Sequence, residues 1–411
     1  GMLNRDAPLA VRITAAGKDR TIEKLSRIMS DAAQYKARYV RIADRAARWY
    51  APAVHVTAAL SFAGWVIAGV GWHEALRIAI AVLIITCPCA LGLAVPVAQF
   101  VATGRLMKAG ILVKDGSALE RLAKIDYVLF DKTGTLTLGV PKPENLNELK
   151  AETAQVVLAL AQMSMHPLSK ALAQGLVAQG ITPATLTNIS ETRGYGIRGE
   201  RAGHIIELAR PKSRESVTAV DVLLDGAPIS HIRFSDRLRM DAVSTIERLG
   251  KMGLECSILS GDTRSAVVKV AEKLNLKAQA EASPADKIDA IKVLHYNGHK
   301  VLMVGDGLND GPALATAYAS MVPSSATDVG QQAADLVFMG EGLSAIPEAL
   351  FMARHTRRVI QQNFALAIGY NILAVPLAIT GYVTPLIAAI AMSASSIIVV
   401  ANAMRLLRVK T

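Results

Sequence analysis

Two long stretches of this chain, residues 78–104 and 359–404, contain no Asp, Glu, Lys, Arg or His. A helix needs about 20 apolar residues to cross a hydrocarbon core. No water is available there, so the backbone must close its own hydrogen bonds and irregular lipid-facing chain is excluded. The first stretch therefore reads as one membrane-spanning helix. The second is too long for one, and Gly381-Tyr382-Val383-Thr384-Pro385 supplies a turn, which predicts spans over 363–380 and 385–404. Residues 51–72 form a further apolar run whose sole ionisable residue, His55, lies near one end, with Glu74 and Arg77 marking the turn that follows. Four transmembrane helices are thus expected, and the hydrophobic share of 52% agrees with them.

The formal charge is +11, and the basic residues gather beside the apolar stretches: Arg45 and Arg48, Arg105 and Lys108, Arg354, Arg357 and Arg358, Arg405 and Arg408. This is the positive-inside pattern, which places these ends in the cytoplasm. Nucleic acid is excluded as a partner, because no basic run is interleaved with aromatics and aromatics make up only 5%. The three cysteines suggest no disulfide framework. Cys256 sits in an apolar run and reads as an inert buried thiol. The first residues show no charged segment followed by an apolar one, as a secretory signal would require.

Between the apolar stretches, residues 108–354 read as soluble. Strand-like runs end in polar motifs at 128–131, 257–262 and 301–306, and helical patterns cover 264–276 and 285–295. Such alternation predicts a doubly wound, mostly parallel sheet. The character changes between 140 and 233, where a helical stretch, 152–163, precedes short alternating runs at 204–209 and 217–224; these predict an inserted α+β module. Upstream, residues 9–14 alternate like a strand, and 21–48 form a charged helix with Ile22, Leu25, Ile28 and Met29 on one face. Residues 105–126 read as an amphipathic connector from the membrane to the soluble part.

Asp131-Lys132-Thr133-Gly134-Thr135-Leu136-Thr137 follows the apolar run 125–130. An aspartate at the carboxyl end of a strand, with a glycine turn behind it, stands where open α/β sheets bind ligands. Its carboxylate can act as a nucleophile and become an aspartyl-phosphate. Gly305-Asp306-Gly307-Leu308-Asn309-Asp310-Gly311-Pro312 ends another run, and carboxylates there can hold Mg²⁺. Ser260-Gly261-Asp262-Thr263 precedes a helical pattern, where hydroxyl and backbone N–H groups could hold phosphoryl oxygens. Lys287, in Pro284-Ala285-Asp286-Lys287, could neutralise charge on a transferring phosphoryl group. Within the first apolar stretch lies Cys87-Pro88-Cys89. The proline removes a backbone donor and opens the helix, and soft thiolates select soft cations such as Cu(I). The plainer alternative is a pair of core cysteines.

The motif at Asp131 resembles the phosphorylation signature of P-type ATPases, and the Cys-Pro-Cys tripeptide resembles their heavy-metal subfamily. The resemblance covers nearly the whole chain. It implies a haloacid-dehalogenase-like phosphorylation domain in two parts, residues 108–140 and 234–354, with an inserted nucleotide-binding domain over 141–233. Phe234-Ser235-Asp236-Arg237-Leu238-Arg239 resembles the family's return from that domain. Residues 1–20 correspond to the end of an actuator domain, 21–107 to an amphipathic helix and two spans, and 355–411 to two final spans. By resemblance, Asp131 accepts the phosphoryl group with Lys132 and Thr133 beside it. Mg²⁺ is held by the Asp131 carboxylate, the Thr133 carbonyl and Asp306, with Asn309 and Asp310 orienting that shell. Asp262, Thr263 and Lys287 serve the same step. The family more often has alanine where Gly311 stands.

For ATP, the resemblance implies that His166, in a His-Pro pair, contacts adenine, with Gly194 and Gly196 in the glycine motif and Glu191 beside the base. Met165 stands where the family has a glutamate in Ser-Glu-His-Pro. For the transported ion, Cu(I), it implies a site built from Cys87, Cys89, Tyr370, Asn371, Met392 and Ser396. Packing by Met392 and helix-interface use of the serines is the alternative. The segment 45–52, together with 383–402, resembles most the copper pumps tied to assembly of cbb3-type cytochrome oxidases. The expected function is ATP-driven Cu(I) export through an aspartyl-phosphate. The expected location is a bacterial inner membrane, among its lipids, with soluble domains in the cytoplasm, a copper chaperone as a possible donor and a link to cytochrome oxidase assembly. The family's Thr-Gly-Glu loop does not occur, so the chain is expected to be the C-terminal portion of a pump. A zinc or cadmium pump is the alternative; those place charged groups in the last helices, whereas 359–404 has none. A membrane-anchored phosphatase of the same sheet would need an aspartate two residues after the nucleophile, where this chain has Thr133. A non-catalytic metal-binding membrane protein would have no use for the phosphorylation motifs.

Overall fold

The computed structural model describes residues 41–87, 89–114, 116–192, 195–211, 219–307 and 310–409. The expectations for residues 1–40 lie outside it. The membrane part begins with helix Arg41–Ile67, followed by Trp72–Ile85 and Cys89–Lys108, and resumes with Ala345–Ile379 and Pro385–Met404. Among the described residues, three segments are long and apolar enough to cross a bilayer: Trp72–Lys108, Ala345–Ile379 and Pro385–Arg408. The fourth expected span falls on the helix Arg41–Ile67, of which Pro52–Ile67 is an apolar stretch. It stops because Gly69 and Gly71 take positive φ, +82° and +86°, which ends the helix before Trp72.

Helix Cys89–Lys108 buries Ala90, Ala94, Ala98 and Ala102, a stripe of small side chains at four-residue spacing that continues to Leu106. Small residues let helix backbones approach closely where no hydrophobic force separates helix from lipid. Ala90 and Ala94 pack with Ala367 and Val399 of the two C-terminal helices. The start of this helix, at Cys89, is thereby held against both of them.

The soluble part holds two sheets. The first contains β1 (Ile111–Val113), β2 (Tyr127–Phe130), β9 (Glu255–Leu259), β10 (Lys277–Gln279), β11 (Val301–Val304), β12 (Ala319–Pro323) and β13 (Leu336–Phe338). Their spatial order is β1-β13-β12-β11-β2-β9-β10. All pairings are parallel except β1 with β13. Strands β2, β11 and β12 are almost continuous apolar runs because helices cover both faces, as doubly wound sheets require. The second sheet is antiparallel, in the order β3-β8-β7-β6-β5-β4. It comprises β3 (Thr137–Pro143), β4 (Thr187–Thr192), β5 (Gly196–Arg201), β6 (His204–Ala209), β7 (Ala219–Leu224) and β8 (Ala227–Leu238). Helices Ala151–Gln162 and Pro167–Ala178 share its core, through Val157, Leu160, Leu172 and Ile232.

The connector adds β1 to the sheet edge and then helix Gly116–Leu122. Arg121 on that helix donates to Asp335 at 2.7 Å, and both side chains are buried. Asp335 also accepts the Ser320 N–H at 3.0 Å, on β12. Helix Ala345–Ile379 starts in the same core, where Ile346, Ala349 and Leu350 pack beside Phe130 and Phe338. One continuous helix therefore joins the sheet to the membrane. Cys256 is half-buried, and desolvation pushes its thiol up to about 12, so it is unreactive as expected.

Candidate functional site

Parallel pairing of β11, β2 and β9 brings three polar motifs to one sheet edge. Asp131 follows β2, Asp306 follows β11, and Ser260, Asp262 and Thr263 follow β9. The backbone joins in: the Asp131 N–H donates to the Val304 carbonyl at 2.8 Å. Asp131, Asp306 and Asp310 offer carboxylate oxygens within 4.8 Å of one another. Asp131 and Asp310 are buried, at 6% and 1% exposure. Like charges this close raise one another's pKa unless a cation lies among them.

Lys287 is that cation among the described residues. Its Nζ donates to Asp131 Oδ1 at 2.6 Å and to Asp310 Oδ1 at 2.5 Å. Helix Pro284–Tyr296 holds it there, its start fixed by a reciprocal cap in which Ser283 accepts the Asp286 N–H and Asp286 accepts the Ser283 N–H. Burial first, then repulsion from Asp310 and Asp306, pushes Asp131 up to about 7 against the pull of Lys287. Burial works against the Lys287 charge, but Asp131 and Asp310 outweigh it and raise its pKa. The lysine therefore stays charged while Asp131 titrates near neutrality.

On the other side, Lys132 pairs with Asp262 at 2.8 Å, and Thr133 Oγ1 donates to the same carboxylate at 2.5 Å. Burial raises the Asp262 pKa, yet Lys132 and Thr133 together hold it below the usual carboxylate range. Thr263, after β9, stands at the N-cap position of helix Arg264–Leu274. Gly134 lies at φ +72°, and a Cβ there would meet Asp306 Oδ2 at 2.8 Å. Only glycine permits this turn to close on the aspartate. Asn309 lies outside the described residues.

Two residues that the sequence did not single out complete this end. Arg239 donates to the Thr135 carbonyl at 2.7 Å and to the Gly134 carbonyl at 3.0 Å. Asp236 accepts the Thr137 hydroxyl and, at 3.1 Å, the Gly139 N–H. Both fix the backbone of the Asp131 loop. The return segment 234–239 carried the signal, but it read as a connection rather than as part of the site.

In the second sheet, His166 caps helix Pro167–Ala178, its Nδ1 accepting the Leu168 N–H at 3.3 Å. Ser164, buried and not singled out by the sequence, donates to Glu191 at 2.6 Å and accepts the His166 N–H at 3.1 Å. One hydroxyl thus brings His166 and Glu191 together. A Cβ at Gly196 would lie 2.0 Å from the Leu208 carbonyl, so the β5–β6 pairing itself requires this glycine. Gly194 lies outside the described residues.

At the membrane, the sulfur atoms of Cys87 and Cys89 lie side by side. The break in the helix leaves their Cα atoms 5.5 Å apart, which brings both side chains to one side. Tyr370 packs against the cluster of Ala81, Val82 and Ile85, immediately before the break. Asn371, one residue on, is half-buried. The Ser396 hydroxyl donates to the Met392 carbonyl at 3.3 Å, so these two share a helix face.

Mg²⁺ takes oxygen ligands in octahedral geometry. The three carboxylates fit it, and a divalent ion would relieve the burial and mutual repulsion that raise Asp131.

Residues 125–317 match the haloacid dehalogenase-like hydrolase family. The chain is 46% identical to the nitrogen fixation protein FixI of Rhizobium meliloti, over 99% of this chain and 55% of the relative. It is 37% identical to a copper-exporting P-type ATPase of Mycobacterium tuberculosis, over 98% of this chain and 55% of the relative. It resembles the solved structure of a zinc-transporting PIB-type ATPase in its E2.Pi state, with TM-score 0.84 and 28% identity, over 96% of this chain and 68% of the other. The chain spans about half the length of the curated relatives it matches. With its phosphorylation motifs on a doubly wound sheet and Cys-Pro-Cys in an apolar stretch, the chain belongs to the heavy-metal P-type ATPases.

Proposed function

We propose that this chain carries the phosphorylation, nucleotide-binding and ion-holding parts of an ATP-driven Cu(I) exporter. The observation that carries the reading is Lys287 held between Asp131 and Asp310 at the strand ends, with Asp306 beside them. In the proposed step, an Asp131 carboxylate oxygen attacks the γ-phosphorus of ATP in line. A new P–O bond forms to Asp131 and the β–γ bridging bond breaks, its electron pair leaving with ADP. Lys287 neutralises charge on the transferring group. Mg²⁺, when bound, would be held by Asp131, Asp306 and the Thr133 carbonyl and would supply further charge neutralisation. Lys132 and Thr133 keep Asp262 ionised and fixed beside the loop. No carboxylate stands at position 133 to activate water, which favours a phosphoenzyme long-lived enough to drive the helices.

The adenine is read by His166 and Glu191, with Gly194 and Gly196 giving close backbone approach. Cu(I) is taken by Cys87 and Cys89, with Tyr370, Asn371, Met392 and Ser396 completing the pathway. Thiolate and thioether suit a soft monovalent ion. We place the protein in a bacterial inner membrane with its soluble domains in the cytoplasm, receiving copper from a chaperone and serving oxidase assembly. Zinc transport is the second reading, favoured by the PIB-type structure it resembles.

The test is acid-stable, hydroxylamine-sensitive labelling from γ-labelled ATP in the complete pump. Asp131→Asn should abolish it. Labelling should respond to Cu(I) more than to Zn²⁺, and Cys87→Ser with Cys89→Ser should remove the response while leaving nucleotide binding intact. Equal stimulation by Zn²⁺ would overturn the copper assignment, and labelling that survives Asp131→Asn would overturn the acceptor.

A further inference from the structure

A groove of about 530 Å³ opens between helices Ala345–Ile379 and Pro385–Met404, lined by Gln362, Ala365, Leu366, Gly369, Tyr370, Asn402 and Arg405. Its two ends differ in chemistry. At one end Asn402 donates to Gln362 at 3.3 Å and to Asn363 at 2.9 Å, and Arg405 donates to Asn402 at 3.0 Å. Arg405 is exposed, and this is one of the five N–H donors a guanidinium carries. Asn363 is fully buried, and its amide nitrogen finds no partner among the described residues. The other end is apolar: Ala365, Leu366, which is 46% exposed, and Gly369, whose missing side chain leaves open space.

The order of these ends matches a bilayer. The polar end adjoins Arg357, Arg358 and Arg408, at the boundary of the charge-free segment. From Gln362 to Tyr370 the helix rises about 12 Å, which leads from the headgroup layer into hydrocarbon. A cationic mouth above an apolar trough is the complement of one kind of molecule, an anionic headgroup with an acyl chain. We propose that this groove seats an anionic phospholipid, its phosphate at Arg405 and one chain along Leu366 and Gly369. The seat requires only that the two helices span a membrane.

The test uses the full chain, purified in mild detergent and exchanged into vesicles of phosphatidylcholine alone or mixed with phosphatidylglycerol. Native mass spectrometry then reads the lipid retained. Phosphatidylglycerol should be preferred, and Arg405→Gln should reduce that preference about fivefold, the worth of one arginine at an anionic surface. Arg408→Gln, outside the groove, should leave it unchanged. Gly369→Leu fills the trough, and its Cβ meets nothing within 4 Å, so the fold should persist while retention of either lipid falls. Equal retention of both lipids, a preference that survives Arg405→Gln, or a loss shared equally by Arg408→Gln would overturn the proposal. So would undiminished retention in Gly369→Leu. A lipid-free dimer would mean that a second copy covers this face, which also overturns it.

Discussion

The raised Asp131 has a consequence for stability that can be measured without any transport. Its carboxyl moves from an ordinary 3.8 to about 7 on folding, chiefly through burial. Between those values the folded state holds a proton that the unfolded chain has released. Stability from this group is therefore greatest below pH ~3.8 and falls as pH rises toward 7, by at most ~1.4 kcal/mol per unit. The whole window amounts to ~4 kcal/mol as an upper bound. Relaxation and water entry shrink such penalties, so we expect ~2 kcal/mol of it between pH 5 and pH 8. Asp131→Asn removes the titration. In urea denaturation of the full chain, wild type should lose ~2 kcal/mol more than Asp131→Asn over that pH interval. Pulse alkylation of Cys256, at one fixed labelling pH, follows opening of the sheet, because this thiol is half-buried on β9 beside β2. Replacing Cys87 and Cys89 with serine leaves it the only thiol. The comparison cancels other groups, such as Asp236, whose pKa burial also raises. Parallel pH slopes for the two proteins, or a wild type that gains on the variant as pH rises, would refute the account.

Mg²⁺ at pH 8 should raise the urea midpoint of the wild type and do little for Asp306→Asn, since relief of carboxylate repulsion is what the ion offers here. Arg121→Ala leaves Asp335 buried without its 2.7 Å partner and should cost about 3–5 kcal/mol in the same denaturation series. Gly196→Ala forces a Cβ into the Leu208 carbonyl and should destabilise the second sheet by ~1–3 kcal/mol, seen as faster amide exchange in β5 and β6. His166→Ala should weaken ATP binding roughly tenfold by calorimetry with the unfolding midpoint nearly unchanged. A large stability loss with unchanged affinity would assign His166 to helix capping alone.

What the sequence determined by itself was everything carried by local pattern. Hydropathy located the apolar segments because a bilayer imposes one composition on about 20 consecutive residues. Apolar runs ending in polar motifs located β2, β9 and β11, because a strand buried on both faces has few polar residues to offer. The motifs at Asp131 and Asp306 were legible because their chemistry lies in adjacent residues. Tertiary structure decided the rest, since those contacts join residues far apart in the chain. The order β11-β2-β9 alone makes Asp131, Asp306 and Asp262 neighbours. The capped start of a distant helix decides that Lys287 rests between Asp131 and Asp310, 156 and 23 positions away. Ser164, Arg239 and Asp236 gained their roles by proximity, which no spacing in the sequence expresses. β1 escaped notice for the same reason: three residues pair with β13 across more than two hundred positions, and their register is set by the packing of the whole sheet.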